Sequence, residues 1–137
     1  PDDAETVRAI QEGLPHTLER FKSLAGLTRS LPDLAALMAV MDAVVCVDSA
    51  PLHLAVALGK PTVAMFGPTD EKKLLPLDDP RVQAVTVGNL ACRPCLWDVR
   101  ASNCGPSTCL DVPVAAMERA VYQVLGIAQP DAAGVGA

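Results

Sequence analysis

Residues 43–70 read AVVCVDSAPLHLAVALGKPTVAMFGPTD, and this stretch indicates the fold. Residues 43–47 and 62–66 are short runs rich in β-branched residues, without an alternating polar face. This pattern is typical of strands that are buried on both sides in a parallel sheet. Residues 51–58 lie between them and predict a helix that ends at Gly59. Because parallel strands need a crossover connection, this strand–helix–strand unit predicts an α/β fold.

Further helices and one more strand flank this unit. Apolar residues at helical spacing predict helices over 4–12 and 113–125, and residues 81–87 predict a strand. Ser30 has a carboxylate three residues on, at Asp33, which resembles a capping box at the start of another helix. We therefore expect a Rossmann-like α/β fold with a small, mostly parallel sheet flanked by helices.

The length and composition fit one globular domain. Of the 137 residues, 50% are hydrophobic and 20% are charged. We expect residues 1–127 to form a single domain with an irregular cysteine-rich excursion at 92–109, and residues 128–137 to be a disordered tail. A net charge of −5 and an aromatic content of 3% argue against a nucleic-acid partner.

Polar residues follow both central strands of the predicted sheet. Asp48 and Ser49 follow the first strand, and residues 67–70 follow the second. Because α/β sheets bind ligands at the carboxyl ends of their strands, this edge is the candidate site. Asp48 can accept hydrogen bonds from sugar hydroxyls, and the helix N-terminus with His53 in its first turn can face a phosphate. The alternative is that Ser49 only caps the helix and Asp48 only complements its dipole.

The loop after the second strand is less informative. Gly67 allows backbone to approach a ligand closely, and Thr69 supplies a hydroxyl. Taken alone, the loop is better explained as an ordinary turn that opens the next short helix. Lys72 and Lys73 can neutralise phosphate, but such a pair is more often a solvated face.

Five cysteines are present, and four of them lie within 18 residues: Cys92, Cys95, Cys104 and Cys109. A structural zinc site, one or two disulfides, and unlinked thiols all remain open for these four. Their first pair has the spacing of a zinc knuckle, whereas the spacing of the second pair is at the outer limit. Cys46 lies in an apolar run and is expected to be a buried small hydrophobic residue.

Residues 26–70 resemble the C-terminal domain of glycosyltransferase family 9, the lipopolysaccharide heptosyltransferases. The matching segments are LPDLAAL at 31–37, DSAPLHLAVALGKPTV at 48–63 and FGPTD at 66–70. The family pattern is Asp-Ser/Thr-Gly-x-x-His-Leu-x-x-Ala, a Gly-x-Pro turn, a strand and Phe-Gly-x-Thr. Ala50 stands here in place of the family's glycine. A Cys-x-x-Cys followed by further cysteines is also common in the family.

The resemblance implies part of the C-terminal half of a GT-B glycosyltransferase, with the active site between two Rossmann-like domains. This half would bind the donor, an ADP-heptose-like nucleotide sugar, for inverting and metal-independent transfer of heptose to a lipopolysaccharide core acceptor. The donor-binding residues that it implies are Asp48, Ser49, His53, Leu54, Ala55, Gly67 and Thr69. The general base and the site for the lipid-linked acceptor would belong to the other domain, so we expect this chain alone to be inactive.

The same resemblance implies no required cofactor. The spacing of the four clustered cysteines separately leaves a structural zinc ion open. It implies a bacterial enzyme in the cytoplasm, peripheral to the inner face of the inner membrane. Absent neighbouring strands would leave a sheet edge exposed, through which we expect a homodimer. Two rival interpretations are a non-catalytic nucleotide- or phosphate-binding α/β module, and an interaction domain stapled by its cysteines.

Overall fold

Three parallel strands form the centre of the protein. The computed structural model describes residues 3–13, 20–88, 90–96 and 107–130. The strands are β1 (Val44–Val47), β2 (Thr62–Phe66) and β3 (Val82–Thr86), and they lie side by side in the order β1-β2-β3. The predicted α/β fold with a small parallel sheet and flanking helices is therefore confirmed, and each strand lies where the sequence pattern predicts it.

Helices connect and flank these strands. They are α1 (Asp3–Gly13), α2 (Leu31–Ala39), α3 (Ala50–Ala57), α4 (Glu71–Leu74) and α5 (Val114–Leu125), with a 3₁₀ helix at Thr108–Leu110. The predicted cap at the start of α2 is present: the Asp33 amide donates to Ser30 Oγ at 3.2 Å, and the Arg29 amide donates to the Asp33 carboxylate at 3.0 Å. Gly59 ends α3 with a positive φ of 66°, which a glycine adopts without strain.

The chain divides into two units, Pro1–Leu37 and Met38–Ala137. The first contains α1 and most of α2, and the second contains the sheet and the other elements. In the parts of the chain that the structure describes, no helix is both long and apolar enough to span a bilayer. Residues 131–137 of the predicted tail lie outside the described residues.

The second unit packs a separate apolar cluster on each face of the sheet. Leu52 of α3 and Leu75 lie with side chains of β2 and β3 on one face, around the fully buried Phe66. On the opposite face, Ala120 and Val124 of α5 pack against Val63 and Val85. β2 is therefore covered from both sides, as the β-branched pattern predicts.

β1 is buried on one face only, which corrects the expectation that both strands of the unit are buried on both sides. Val44 is buried and Cys46 is half-buried on the α3 side, but Val45 is 55% exposed and Val47 is 49% exposed. The reason is the position of α5, which packs mainly against β2 and β3 and leaves the same face of the edge strand open.

Candidate functional site

The carboxyl ends of β1 and β2 meet through a hydrogen bond between their following loops. Thr69 Oγ1 donates to Asp48 Oδ2 at 2.6 Å, and the Thr69 side chain is almost inaccessible, with the residue 3% exposed. Such a short bond to a carboxylate is charge-assisted, and it holds the carboxylate in one orientation. The prediction that these two polar segments share one edge of the sheet is confirmed.

Gly67 is closely packed against the 3₁₀ helix at this edge. A Cβ atom on Gly67 would lie 2.5 Å from Leu110 Cδ2 and 3.7 Å from Cys109 Sγ, so the 3₁₀ helix closes directly over it. Asp70 then caps α4, because its Oδ1 accepts from the Lys72 amide at 3.1 Å. The loop therefore forms the turn into a short helix, as the sequence pattern predicts.

Ser49 stands at the N-cap position of α3 without capping it through its side chain. Its hydroxyl donates to the Val47 carbonyl at 3.2 Å, so it does not accept from an amide of the first turn. The interpretation of Ser49 as a side-chain cap is therefore wrong. Pro51 in the first turn has no amide hydrogen, and the Leu52 amide donates to the Ser49 carbonyl at 3.0 Å, so neither group uses the Ser49 hydroxyl as an acceptor.

The other predicted donor-binding residues on α3 differ in how far they are exposed. His53 is exposed and Leu54 is half-buried. Ala55 is fully buried, and α3 packs against β1 and β2. The Ala55 side chain therefore belongs to the core and does not present a ligand-binding surface.

A cleft of about 360 Å³ lies at the ends of β1 and β2, beside the Asp48–Thr69 pair. Its lining residues are Val47, Asp48, Met65, Gly67, Pro68, Thr69, Leu96 and Leu110. Apolar side chains make up most of its walls, and the carboxylate and the threonine supply the polar groups. A mainly apolar concavity with few, well-placed polar groups is typical of small-molecule sites.

Arg93 is the residue at this edge that sequence reasoning missed. Its guanidinium donates to the carbonyls of Gly67 and Thr69, the latter at 3.1 Å, and to Glu71 Oε2 at 3.0 Å. Only 10% of the Arg93 side chain is exposed. Arg93 lies in an irregular segment between two cysteines, where no periodicity marks it, so the sequence carries little signal of its role.

The cysteine-rich segment is held to the site by hydrogen bonds. The amides of Cys95 and Leu96 donate to the Pro68 carbonyl at 2.9 and 3.3 Å. Cys92, Cys95 and Cys109 are free thiols, and the described residues contain no group of three side chains placed to hold a metal ion. Cys104 lies outside the described residues, so a zinc site that includes it stays a prediction.

Cys46 lies on the inner face of β1 near the same edge. Burial raises the pKa of its thiol to about 11, and the negative charge of Asp48 adds a smaller rise. The thiol therefore stays protonated at neutral pH and behaves as a small apolar group, although it is half-buried where full burial is expected.

The family comparison covers the part of the sequence that contains both loops. The family model for glycosyltransferase family 9 (heptosyltransferase) matches residues 1–104 of the 137. This chain belongs to glycosyltransferase family 9. The resemblance found in its motifs is thereby confirmed, and the matched residues of this family 9 chain include Asp48, Thr69 and Arg93.

One curated relative of this family 9 chain is the "Lipooligosaccharide heptosyltransferase 2" of Haemophilus influenzae (strain ATCC 51907 / DSM 11121 / KW20 / Rd). The two are 39% identical over 71 residues, which cover 51% of this chain and 20% of the relative. The match thus spans about a fifth of the relative's length. No solved structure matches this chain significantly.

Proposed function

We propose that this chain is the donor-binding part of a heptosyltransferase. The enzyme would transfer a heptose from an ADP-heptose-like nucleotide sugar to a lipopolysaccharide core acceptor. The family and the name of the relative support the reaction class. The observation that carries the proposal is the Thr69–Asp48 hydrogen bond, because it joins the two motif loops at the edge where α/β sheets bind ligands.

In this proposal, Asp48 binds hydroxyl groups of the donor sugar. Thr69 occupies Oδ2 of the carboxylate, and no described residue donates a hydrogen bond to Oδ1. A carboxylate that is held by one oxygen can accept sugar hydroxyls with the other at little further loss of side-chain entropy. Gly67 and Thr69 line the same cleft beside Asp48.

The start of α3 would face the diphosphate of the donor, with His53 as an additional donor in its first turn. A helix N-terminus carries a partial positive charge, and the Ser49 hydroxyl is directed away from the first-turn amides. These groups would stabilise the negative charge of the departing diphosphate, so the transfer would need no metal ion. We propose inversion at the anomeric carbon, through a general base outside this chain.

The acceptor and the cellular location are further parts of the proposal. The lipid-linked acceptor would bind to a domain outside this chain, on the other side of the cleft. Because such an acceptor is anchored in a membrane, the enzyme would act peripherally at a membrane surface. We place it on the cytoplasmic side, at the inner face of the bacterial inner membrane. A homodimer of this chain through the open edge of β1 remains a separate prediction, which sedimentation of this chain tests.

The test is heptose transfer by the complete enzyme that contains this sequence, with ADP-heptose and a lipopolysaccharide core acceptor. Asp48→Asn keeps the shape of the side chain and an oxygen for Thr69 but removes the charge. We expect kcat/KM to fall at least about 10-fold, because hydrogen bonds to charged groups contribute about 1.5–3 kcal/mol. Asp42→Asn is the matched control, since Asp42 is exposed and lies before the opposite end of β1.

Three outcomes separate the proposal from its rivals. A selective loss in the Asp48 variant, with anomeric inversion of the product by NMR, supports it. Nucleotide binding without transfer by the complete enzyme would favour the non-catalytic binding module. Equal activity of the Asp48 and Asp42 variants would remove Asp48 from the donor site.

A further inference from the structure

Residues 90–96 form hydrogen bonds with the backbone of the loop that carries Thr69. Three consecutive carbonyls of the loop accept hydrogen bonds from this segment. Arg93 bonds to the carbonyls of Gly67 and Thr69, and the amides of Cys95 and Leu96 bond to the carbonyl of Pro68. The loop backbone therefore has its direction set by the segment between β3 and the 3₁₀ helix.

Arg93 is suited to this task because its guanidinium is planar and presents several N–H groups in a fixed geometry. Its Nε reaches the Gly67 carbonyl while Nη2 reaches the Thr69 carbonyl and Glu71 Oε2. The side chain is nine-tenths buried, and a charge so placed requires a partner, which Glu71 supplies. One side chain thus connects both ends of the short loop to the start of α4.

The backbone direction at Thr69 decides where the hydroxyl of the same residue lies. The Thr69 carbonyl accepts from Arg93 at 3.1 Å, and the Thr69 hydroxyl donates to Asp48 at 2.6 Å. Thr69 is 3% exposed, so its side chain has little room to compensate for a shift of the backbone. A chain of contacts consequently runs from Arg93 through Thr69 to the Asp48 carboxylate.

We propose that Arg93 is a positioning residue for the donor site, which orients the Asp48 carboxylate through the backbone and the hydroxyl of Thr69. This inference rests on the proposed function of Asp48. Arg93 touches neither the Asp48 carboxylate nor the reacting atoms in this proposal. Loss of Arg93 should weaken binding of the nucleotide sugar more than it slows the chemical step, because a misplaced carboxylate loses contacts that ground state and transition state share.

The experiment measures KM for the nucleotide sugar and kcat in the complete enzyme. Arg93→Lys keeps a charge beside Glu71 but lacks the planar fork that reaches two carbonyls. We expect KM to rise about 10-fold with kcat changed by less than about 3-fold, and the melting temperature to fall by a few degrees as hydrogen bonds of the guanidinium are lost. Arg93→Gln should raise KM more than Arg93→Lys does, to roughly 10- to 100-fold above the parent value, because the charge is also lost. The lysine variant carries the test if the glutamine variant fails to fold.

Arg81→Lys is the matched control. Arg81 also bonds to a carboxylate and a backbone carbonyl, those of Asp79 and Gly59, but it is exposed and lies at the amino end of β3. We expect its kinetic constants to equal those of the parent. Any arginine that only adds general stability would behave like Arg81.

Coupling to Thr69 is the sharper readout, because a merely structural role would not produce it. Thr69→Val removes the hydroxyl, so adding Arg93→Lys to it should raise KM no further. An additive effect of the two substitutions, or an unchanged KM in Arg93→Lys while Asp48→Asn loses donor binding, would overturn the inference about Arg93 alone. If Asp48→Asn keeps full donor binding, the proposed function of the site fails first.

Discussion

β1 and β2 are neighbouring strands with similar sequences, and each ends at one half of the candidate site, yet their surroundings differ. β2 is the central strand, and its faces are covered by α3 and α5. β1 is the edge strand, with its α3 face buried and its other face exposed at Val45 and Val47. Val45 and Val63 are partners in the parallel ladder, so the difference arises between adjacent positions on the same face of the sheet.

This difference teaches that a run of β-branched residues reports the tendency to form a strand and says less about how far the strand is covered. Val63 is covered because Ala120 and Val124 of α5 lie over it. Val45 has the same side chain but lies one strand further out, beyond the main contact of α5. How far a strand residue is buried therefore depends on which elements pack over it, and its own sequence does not determine this.

The largest expected effect comes from the same substitution at the two paired positions. Val63→Asp should cost about 4 kcal/mol or more and unfold the second unit, because a fully buried carboxylate has no partner there. Val45→Asp should cost about 1 kcal/mol or less, since that side chain is 55% exposed. Urea unfolding of both variants checks the pair, and equal losses would mean that β1 is covered as completely as β2.

A smaller effect is expected at the end of β2. Gly67→Ala should lower the free energy of unfolding by about 1 kcal/mol, because the new methyl group would meet Leu110 Cδ2 at 2.5 Å. Leu110 is half-exposed and can turn aside, which keeps the cost low. In a protein that already carries Leu110→Ala, adding Gly67→Ala should lower the free energy of unfolding no further. A cost that persists in the double variant would contradict the packing explanation for this glycine.

The last expected effect is at Cys46 on the inner face of β1, and it is confined to alkaline pH. An unfolded thiol ionises near pKa 9.0, but burial and Asp48 raise the pKa of the folded one to about 11. Between pH 9 and 11 the unfolded state therefore loses its proton first, and stability falls as the pH rises; below pH 9 the thiol contributes no pH dependence. Cys46→Ala should reduce this alkaline fall in urea unfolding at pH 8 and pH 10.5. The same fall in both proteins would mean that Cys46 ionises in the folded state as easily as in the unfolded one.

The sequence by itself determined the local elements and the edge that carries the site. Helical spacing, β-branched runs and the glycine after α3 are short-range signals, and they placed all three strands and the longer helices. The strand–helix–strand order required parallel pairing, so the sequence alone assigned Asp48 and Thr69 to one edge of the sheet. The motif order in the same stretch identified the family that the comparison then confirmed.

Only the tertiary structure decided the contacts that turn this edge into a defined site. The Thr69–Asp48 bond joins residues 21 positions apart, and Arg93 reaches the Gly67 carbonyl across 26 positions. The open face of β1, the packing of Leu110 over Gly67 and the core position of Ala55 also depend on distant segments. Local sequence patterns report the conformation of a segment, whereas the partner of each side chain is set by how the segments pack together.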